Sequence, residues 1–156
     1  MMWEVEVATE AKADELADLY DRVFRKFEGI LPDQLINDRK ADKNEIIQSM
    51  SSMKYFIVRN KESIVGVARV SLVHGTCFLD RMVVDEDHRK RGIGSALIDS
   101  IIGFAKENKT TKVWLNTNTK LKDAMSLYTK NGFKECGHFT NHFWGDDVKF
   151  YEFLLE

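Results

Sequence analysis

The 156-residue chain holds one proline, Pro32, and two cysteines, Cys77 and Cys136. A single proline provides no proline-rich linker, and neither low-complexity segments nor internal repeats are visible, so residues 1–156 read as one domain. Two cysteines far apart suit buried thiols in a reducing compartment better than a disulfide framework, and both are expected in the core. No apolar run approaches the roughly 18 to 20 residues of a membrane span. Met1-Met2-Trp3-Glu4-Val5 alternates polar and apolar residues instead of opening a signal segment, so a cytoplasmic protein is expected. Charge of one sign is also lacking: 23 Lys and Arg face 25 Asp and Glu, a formal net charge of −2. That removes the field with which a general nucleic-acid binder attracts its partner. What is present is 44% hydrophobic content, enough to bury a core without disulfides or metal.

Val5 and Val7 alternate with charged neighbours, which predicts a short strand at about 3 to 8. Leu16, Leu19, Tyr20, Val23, Phe24 and Phe27 then share one helical face opposite Asp14, Glu15, Asp18, Asp21, Arg22 and Lys26. Gly29 and Pro32 end this helix, and a weaker helical pattern with Ile46, Ile47 and Met50 leads into the strand-like run Tyr55 to Val58. Ile64 to Val73 and Thr76 to Val84, parted by His74-Gly75, complete an antiparallel meander of three strands. From Gly92 a helix carries Ile93, Leu97, Ile101 and Phe104 and is apolar enough around its circumference to pack on a sheet. Val113 to Thr117 reads as a strand, Leu121 to Asn131 as a helix ended by Gly132, and Phe133 to Glu156 as two strands. The expected order is β, α, α, βββ, α, β, α, ββ.

The segment from Val84 to Ala96 joins a strand end, the charged loop Asp85-Glu86-Asp87-His88-Arg89-Lys90-Arg91, two glycines and a helix start. Free N–H groups at a helix N-terminus, flanked by basic side chains, suit a phosphate or pyrophosphate. The spacing is not that of a P-loop, which needs Gly, four residues, Gly, Lys and Ser or Thr. Nor does it fit a dinucleotide fingerprint, whose third small residue would fall on Leu97. Taken alone, Gly92 and Gly94 equally suit a plain helix start beside a solvated charge run.

Arg89, Gly92 and Gly94 match the signature of the GNAT superfamily of acetyl-CoA-dependent N-acetyltransferases, which the chain resembles: Gln or Arg, two residues, Gly, one residue, Gly or Ala. Asn118 and the run Ala124 to Phe133, with Leu127-Tyr128 and Gly132-Phe133, resemble the family's later motif. Glu86 stands where many members have proline. The resemblance implies an α/β fold with a mixed, mostly antiparallel central sheet flanked by helices, and a splayed strand pair that binds the cofactor. It implies that backbone amides of Arg91, Gly92, Ile93, Gly94 and Ser95, assisted by Arg89 and Lys90, bind the pyrophosphate of coenzyme A. Met82, Val83 and Val84 would offer free backbone groups to the pantetheine arm and thioester, and Asn118 joins this set. A homodimer is the family's common state. The function implied is direct transfer of acetyl from acetyl-CoA to a primary amine of a small molecule or peptide; a non-catalytic acyl-CoA-binding domain is the alternative.

Transfer to an amine poses two proton problems. An alkylammonium of pKa near 10.4 must be deprotonated, at a cost of roughly 4 to 5 kcal/mol at pH 7, and the departing thiolate needs a proton. Tyr128, at the position of the family's general acid, is the expected donor; the lesser reading, by periodicity alone, is an aromatic on a core face. Asp80 is the favoured base, because Phe78 to Val84 resembles the corresponding strand of polyamine acetyltransferases and period-2 alternation sets Asp80, Met82 and Val84 on one face. Otherwise Asp80 is the ion-pair partner of Arg81 or another basic residue. Glu28, or a water chain, is the second candidate for the base.

Other signals are weaker. Cys136, His138 and His142 have the spacing of half a zinc site, but no fourth ligand is evident, and no metal is expected. Asn141 to Asp147 reads as the turn between the last strands, with Trp144 packing over a substrate or closing the core. Asp33, Asp38 and Asp42 fit a cationic, polyamine-like acceptor, although exposed acids are ordinarily only solvated. Arg89-Lys90-Arg91 as an RNA contact is disfavoured by the net charge, so no nucleic acid is expected as partner.

Overall fold

The computed structural model describes residues 2–156; Met1, with which the N-terminal alternation begins, lies outside the described residues. Seven strands form one sheet: β1 (Val5–Val7), β2 (Lys54–Asn60), β3 (Ser63–Val73), β4 (Thr76–Val84), β5 (Lys112–Asn118), β6 (Lys134–Phe143) and β7 (Asp146–Leu154). The order across the sheet is β1-β2-β3-β4-β5-β7-β6. All neighbours are antiparallel except β4 and β5. The meander β2-β3-β4 is as expected, and its second turn places His74 (φ 47°) and Gly75 (φ 80°) in the left-handed region that two-residue hairpins favour.

Five helices cover the two faces. α1 (Ala13–Arg25), α2 (Asp33–Arg39) and α3 (Lys43–Ser49) share one core with Tyr55, Ile57, Val67 and Val83. α4 (Ile93–Glu107) and α5 (Lys122–Lys130) cover the other face. Ile93, Leu97, Ile98 and Ile101 of α4 are fully buried, each contributing about 1.5 to 3 kcal/mol of apolar burial.

Two expectations are corrected. A helix the periodicity did not reveal, α2, starts directly after Pro32 and buries only Leu35 and Ile36. Two adjacent apolar residues in seven carry no helical period, so the pattern was too short to register. Cys77 is buried, whereas Cys136 is exposed on β6, an edge strand with no buried position. No helix among the described residues is long and apolar enough to cross a membrane.

Candidate active site

β4 and β5 pair only at Cys77–Val113 and Phe78–Trp114. Beyond that point they separate, while β3 stays paired to β4 as far as Val84 and β7 to β5 as far as Asn118. The wedge opens into a cavity of about 400 Å³. Met82, Ala124 and Tyr128 line it towards α4 and α5, Arg69, Asp80 and Arg81 line it with Asp38 and Arg39 of α2, and Phe143 and Trp144 from the β6–β7 turn close one side.

The loop before α4 is shaped for an anion. Lys90 (φ 61°) and Gly92 (φ 84°) are both left-handed, which curls the chain into a concave run of amides. No N–H from Lys90 to Ser95 reaches a backbone carbonyl among the described residues, whereas Ala96 donates to the Gly92 carbonyl at 3.0 Å. The Trp3 indole N–H holds the Arg91 carbonyl at 2.8 Å, and the Arg89, Lys90 and Arg91 side chains are exposed. Arg89 Nη1 lies 4.0 Å from Asp123 at the start of α5.

The two signature glycines do different work. A Cβ on Gly92 would meet nothing within 4 Å, so this residue serves the positive φ. A Cβ on helical Gly94 would stand 2.7 Å from Leu127 Cδ2 and 3.3 Å from Met82 Cε, so this residue serves the packing of α4 on α5 and β4. A third glycine, unremarked in the sequence, matters as much: a Cβ on Gly66 of β3 would stand 2.5 Å from Ile93 Cγ2. Gly66 therefore sets how closely the start of α4 approaches the sheet. Asn131 at the end of α5 donates to Ser95 Oγ at 3.1 Å, tying the helix that carries Tyr128 to the anion loop.

Tyr128 is buried, its ring centroid 5.9 Å from Phe133 and 6.1 Å from Tyr151. Burial pushes its phenol up to about 12. Asn118 is buried at the end of β5, its amide spanning Asp146 Oδ2 (2.9 Å) and the Lys120 N–H (2.9 Å). Lys120 Nζ in turn reaches the Ile30 carbonyl at 3.1 Å. Hydrogen bonds from Asn118 and then Lys120 hold the Asp146 carboxyl below its usual range. Asn118 thus orders the β5–α5 turn and, through Lys120, the chain after α1.

Asp80 and Met82 occupy opposite faces, contrary to the simple alternation. Val67 pairs with Val83 and Arg69 with Asp80, so two residues of β4, Arg81 and Met82, face Ala68 alone in a β-bulge. Cys77 and Leu79 sit in the core beneath α4, Met82 and Val84 pack against that core, and Val83 belongs to the α1 side. The phase has slipped by one residue, which carries Asp80 to the α1–α2 side. Arg81 adopts φ 49°, and the Tyr20 hydroxyl donates to its carbonyl at 2.7 Å.

Asp80 is paired with Arg69, not with Arg81. Arg69 Nε donates to Oδ1 at 2.9 Å and Nη2 to Oδ2 at 2.5 Å. Burial pulls the Arg69 guanidinium down, but the hydrogen bonds and charge of Asp80 outweigh it and leave Arg69 above its ordinary range. Glu28 is exposed after α1 and does not line the cavity. Of the three acids after α1, Asp38 lines the cavity, Asp33 is exposed in the first turn of α2, and Asp42 caps α3 by accepting the Glu45 N–H at 2.8 Å. His138 contacts Asp147 at 3.3 Å and His142 packs against Phe139 and Phe143. Among the described residues no group of three or more His, Cys, Asp or Glu is placed to hold a metal ion.

The model of the acetyltransferase (GNAT) family matches residues 13–133. The chain belongs to this family. Among curated relatives, human N-acetyltransferase 8 is 29% identical over 106 residues, 62% of this chain and 47% of that protein. An uncharacterized N-acetyltransferase, YobR, of Bacillus subtilis is 32% identical over 111 residues, 70% of this chain and 43% of that protein. The chain spans about half the length of these curated relatives. In fold it resembles a GNAT-family acetyltransferase from Staphylococcus aureus (TM-score 0.80, 24% identity, 99% of this chain and 100% of that one). It likewise resembles the PaiA N-acetyltransferase of Thermoplasma acidophilum, solved with coenzyme A (TM-score 0.81, 16% identity, 98% and 100%).

Proposed function

We propose that this chain moves an acetyl group from acetyl-CoA directly to a primary amine of a small molecule or peptide. The observation that carries this reading is the splay of β4 from β5, which opens a cavity lined by Met82, Tyr128 and Asp80, while the free amides of Arg91 to Ser95 follow β4 in the chain. A concave run of free N–H groups beside Arg89 and Lys90 fits a pyrophosphate, and the unpaired edge from Met82 to Val84 fits an extended amide-bearing arm. When bound, acetyl-CoA supplies the activated acyl group and the sulfur leaving group.

The remaining chemistry falls to the chain's own residues. Backbone N–H groups of β4 offer hydrogen bonds to a thioester carbonyl oxygen as negative charge gathers on it. Tyr128, kept neutral by burial, gives its proton to the departing sulfur. The incoming amine meets Asp80. Protonating that carboxylate would strand the Arg69 guanidinium in a largely buried place, so the amine's proton passes to water held against Asp80. The wedge itself fixes the attack geometry, which removes much of the entropic barrier.

Incubating the protein with acetyl-CoA and a panel of amines, while following free thiol, tests the reading. Amine-dependent thiol release with a matching rise in acetylated product is expected. Binding of acetyl-CoA without release by any amine would replace it with the reading of a non-catalytic acyl-CoA-binding domain.

A further inference from the structure

The acceptor end of the cavity is lined by three arginines, Arg39, Arg69 and Arg81, against two aspartates, Asp38 and Asp80, an excess of one positive charge. We infer that the acceptor is a small primary amine carrying a carboxylate, and that Arg81 is the residue that receives this carboxylate. The inference deepens the acetyl-transfer reading and rests on it.

The pairing of the five groups locates the excess. Arg69 and Asp80 neutralise each other through two hydrogen bonds. Asp38 is in contact with Arg39 and stands 3.7 Å from Arg81 Nη2, so one half-exposed carboxylate serves two guanidiniums. Burial, with the neighbouring charge of Arg81 adding to it and Asp38 opposing it, leaves Arg39 below the ordinary guanidinium range. Arg81 has one hydrogen bond of its own, from Nη1 to the Arg39 carbonyl at 3.2 Å, and its Nε is buried with no acceptor. A guanidinium only 14% exposed is thus left with a shared counter-charge and an unmet donor.

The backbone is arranged to produce this. Without the bulge, strict alternation would send the Arg81 side chain to the face opposite Asp80, under α4. The extra residue and a left-handed φ at a non-glycine position turn it to the α2 side instead, and the buried Tyr20 hydroxyl holds that turn. Such a conformation is held against its intrinsic cost where the surroundings fix it. An entering carboxylate would give the exposed edge of the Arg81 guanidinium a counter-charge it does not share with Arg39, and a single negative charge matches the single excess positive one. A polyamine would bring further ammonium charges to a wall that is already net positive.

The test compares amino acids with their amides, glycine with glycinamide and alanine with alaninamide, and adds spermidine, in acetyl-CoA-dependent assays of wild type, Arg81→Gln and Arg81→Lys. An unchanged acetyl-CoA-induced thermal shift in the variants confirms an intact donor end. Acid and amide differ in amine basicity, so the change in their kcat/KM ratio on substitution carries the test. Arg81→Gln is expected to reduce the acid-to-amide ratio about ten- to a hundredfold, the loss of a charged hydrogen-bond partner, mainly through KM of the acid. Arg81→Lys is expected to keep part of the ratio. A ratio unmoved by Arg81→Gln, or spermidine used better than every amino acid, would overturn the inference while leaving acetyl transfer standing. Absence of turnover with every amine, acids included, would remove the acetyl-transfer reading and this inference with it.

Discussion

On the side proposed for the donor, the groups offered to a ligand are backbone amides at the start of α4, next to the cavity's lining in the chain, and one phenol from α5 that lines the cavity itself. At the acceptor end they are charged side chains, Asp38 and Arg39 from α2, Arg69 from β3, and Asp80 and Arg81 from β4. The donor end resists single substitutions of its basic side chains, because an amide remains whatever residue bears it. The acceptor end is the reverse: each charge is set by one residue, and removing one unbalances the rest. One end suits an invariant co-substrate, and the other suits acceptors that differ between proteins sharing a fold.

The sharpest way to break this division is at Tyr128, the donor-end side chain to which proton transfer is assigned. Tyr128→Phe is expected to lower kcat by about 10²- to 10⁴-fold, the usual range for a positioned acid, with KM for acetyl-CoA nearly unchanged. A kcat within a few-fold of wild type would assign the sulfur's proton to water. The same hydroxyl predicts a stability signature. Its folded pKa of about 12 lies above the ordinary value near 10, so the unfolded chain loses that proton first as pH rises. Stability therefore falls between about pH 10 and pH 12, by up to roughly 2 to 3 kcal/mol for this group, and Tyr128→Phe should remove that part of the alkaline slope in denaturant titrations.

At the acceptor end, Arg69→Met leaves Asp80 without its partner. A loss of about 3 kcal/mol in unfolding free energy is expected, the low end for breaking a buried pair since both side chains keep some exposure. Asp80→Asn in the same background should restore part of it, because the stranded charge is gone. A double variant no more stable than Arg69→Met would mean the pair holds the fold by packing alone.

These two sites also show what the sequence discloses and what it withholds. The anion loop and Tyr128 were legible because their residues are contiguous: Arg89, Gly92 and Gly94 lie within six positions, and Tyr128 sits inside a ten-residue run. The acceptor end was not. Asp80 was singled out, but its partner Arg69 lies on the neighbouring strand, and pairing across strands depends on register, which a bulge resets. The slip at Arg81 moved Asp80 to the other face, and period-2 counting has no means of detecting an extra residue. A left-handed arginine leaves no mark in sequence, unlike the His74-Gly75 turn, where glycine advertises the backbone. Gly66 was overlooked for a related reason, since a glycine inside an apolar strand signals close approach only once the approaching helix is known.

Gly66 offers a milder test of how the donor end depends on packing. Gly66→Ala forces its methyl against Ile93 at the first turn of α4, and overpacking of this kind costs about 1 to 3 kcal/mol. Because the shift falls on the helix that carries the free amides, KM for acetyl-CoA should rise while the ranking of acceptors stays as in wild type. An altered acceptor ranking would show that the two ends share more structure than their separate construction implies.

The smallest effect, and the most selective, is expected at Tyr20. Its ring is fully buried between α1 and the sheet, and its hydroxyl donates to the Arg81 carbonyl at 2.7 Å without facing the cavity. Tyr20→Phe keeps the ring and deletes one hydrogen bond, worth about 1 kcal/mol of stability. The deletion frees Arg81 to relax from its left-handed φ and swing its guanidinium away from α2. The expected result is a higher KM for the acceptor, with kcat and KM for acetyl-CoA held. Arg81→Gln combined with Tyr20→Phe should then be no worse for the acceptor than Arg81→Gln alone, since Tyr20 acts only through Arg81. Additive losses in the double variant would mean that Tyr20 supports the wedge between β4 and β5 as a whole, and that the bulge serves both ends of the cavity at once.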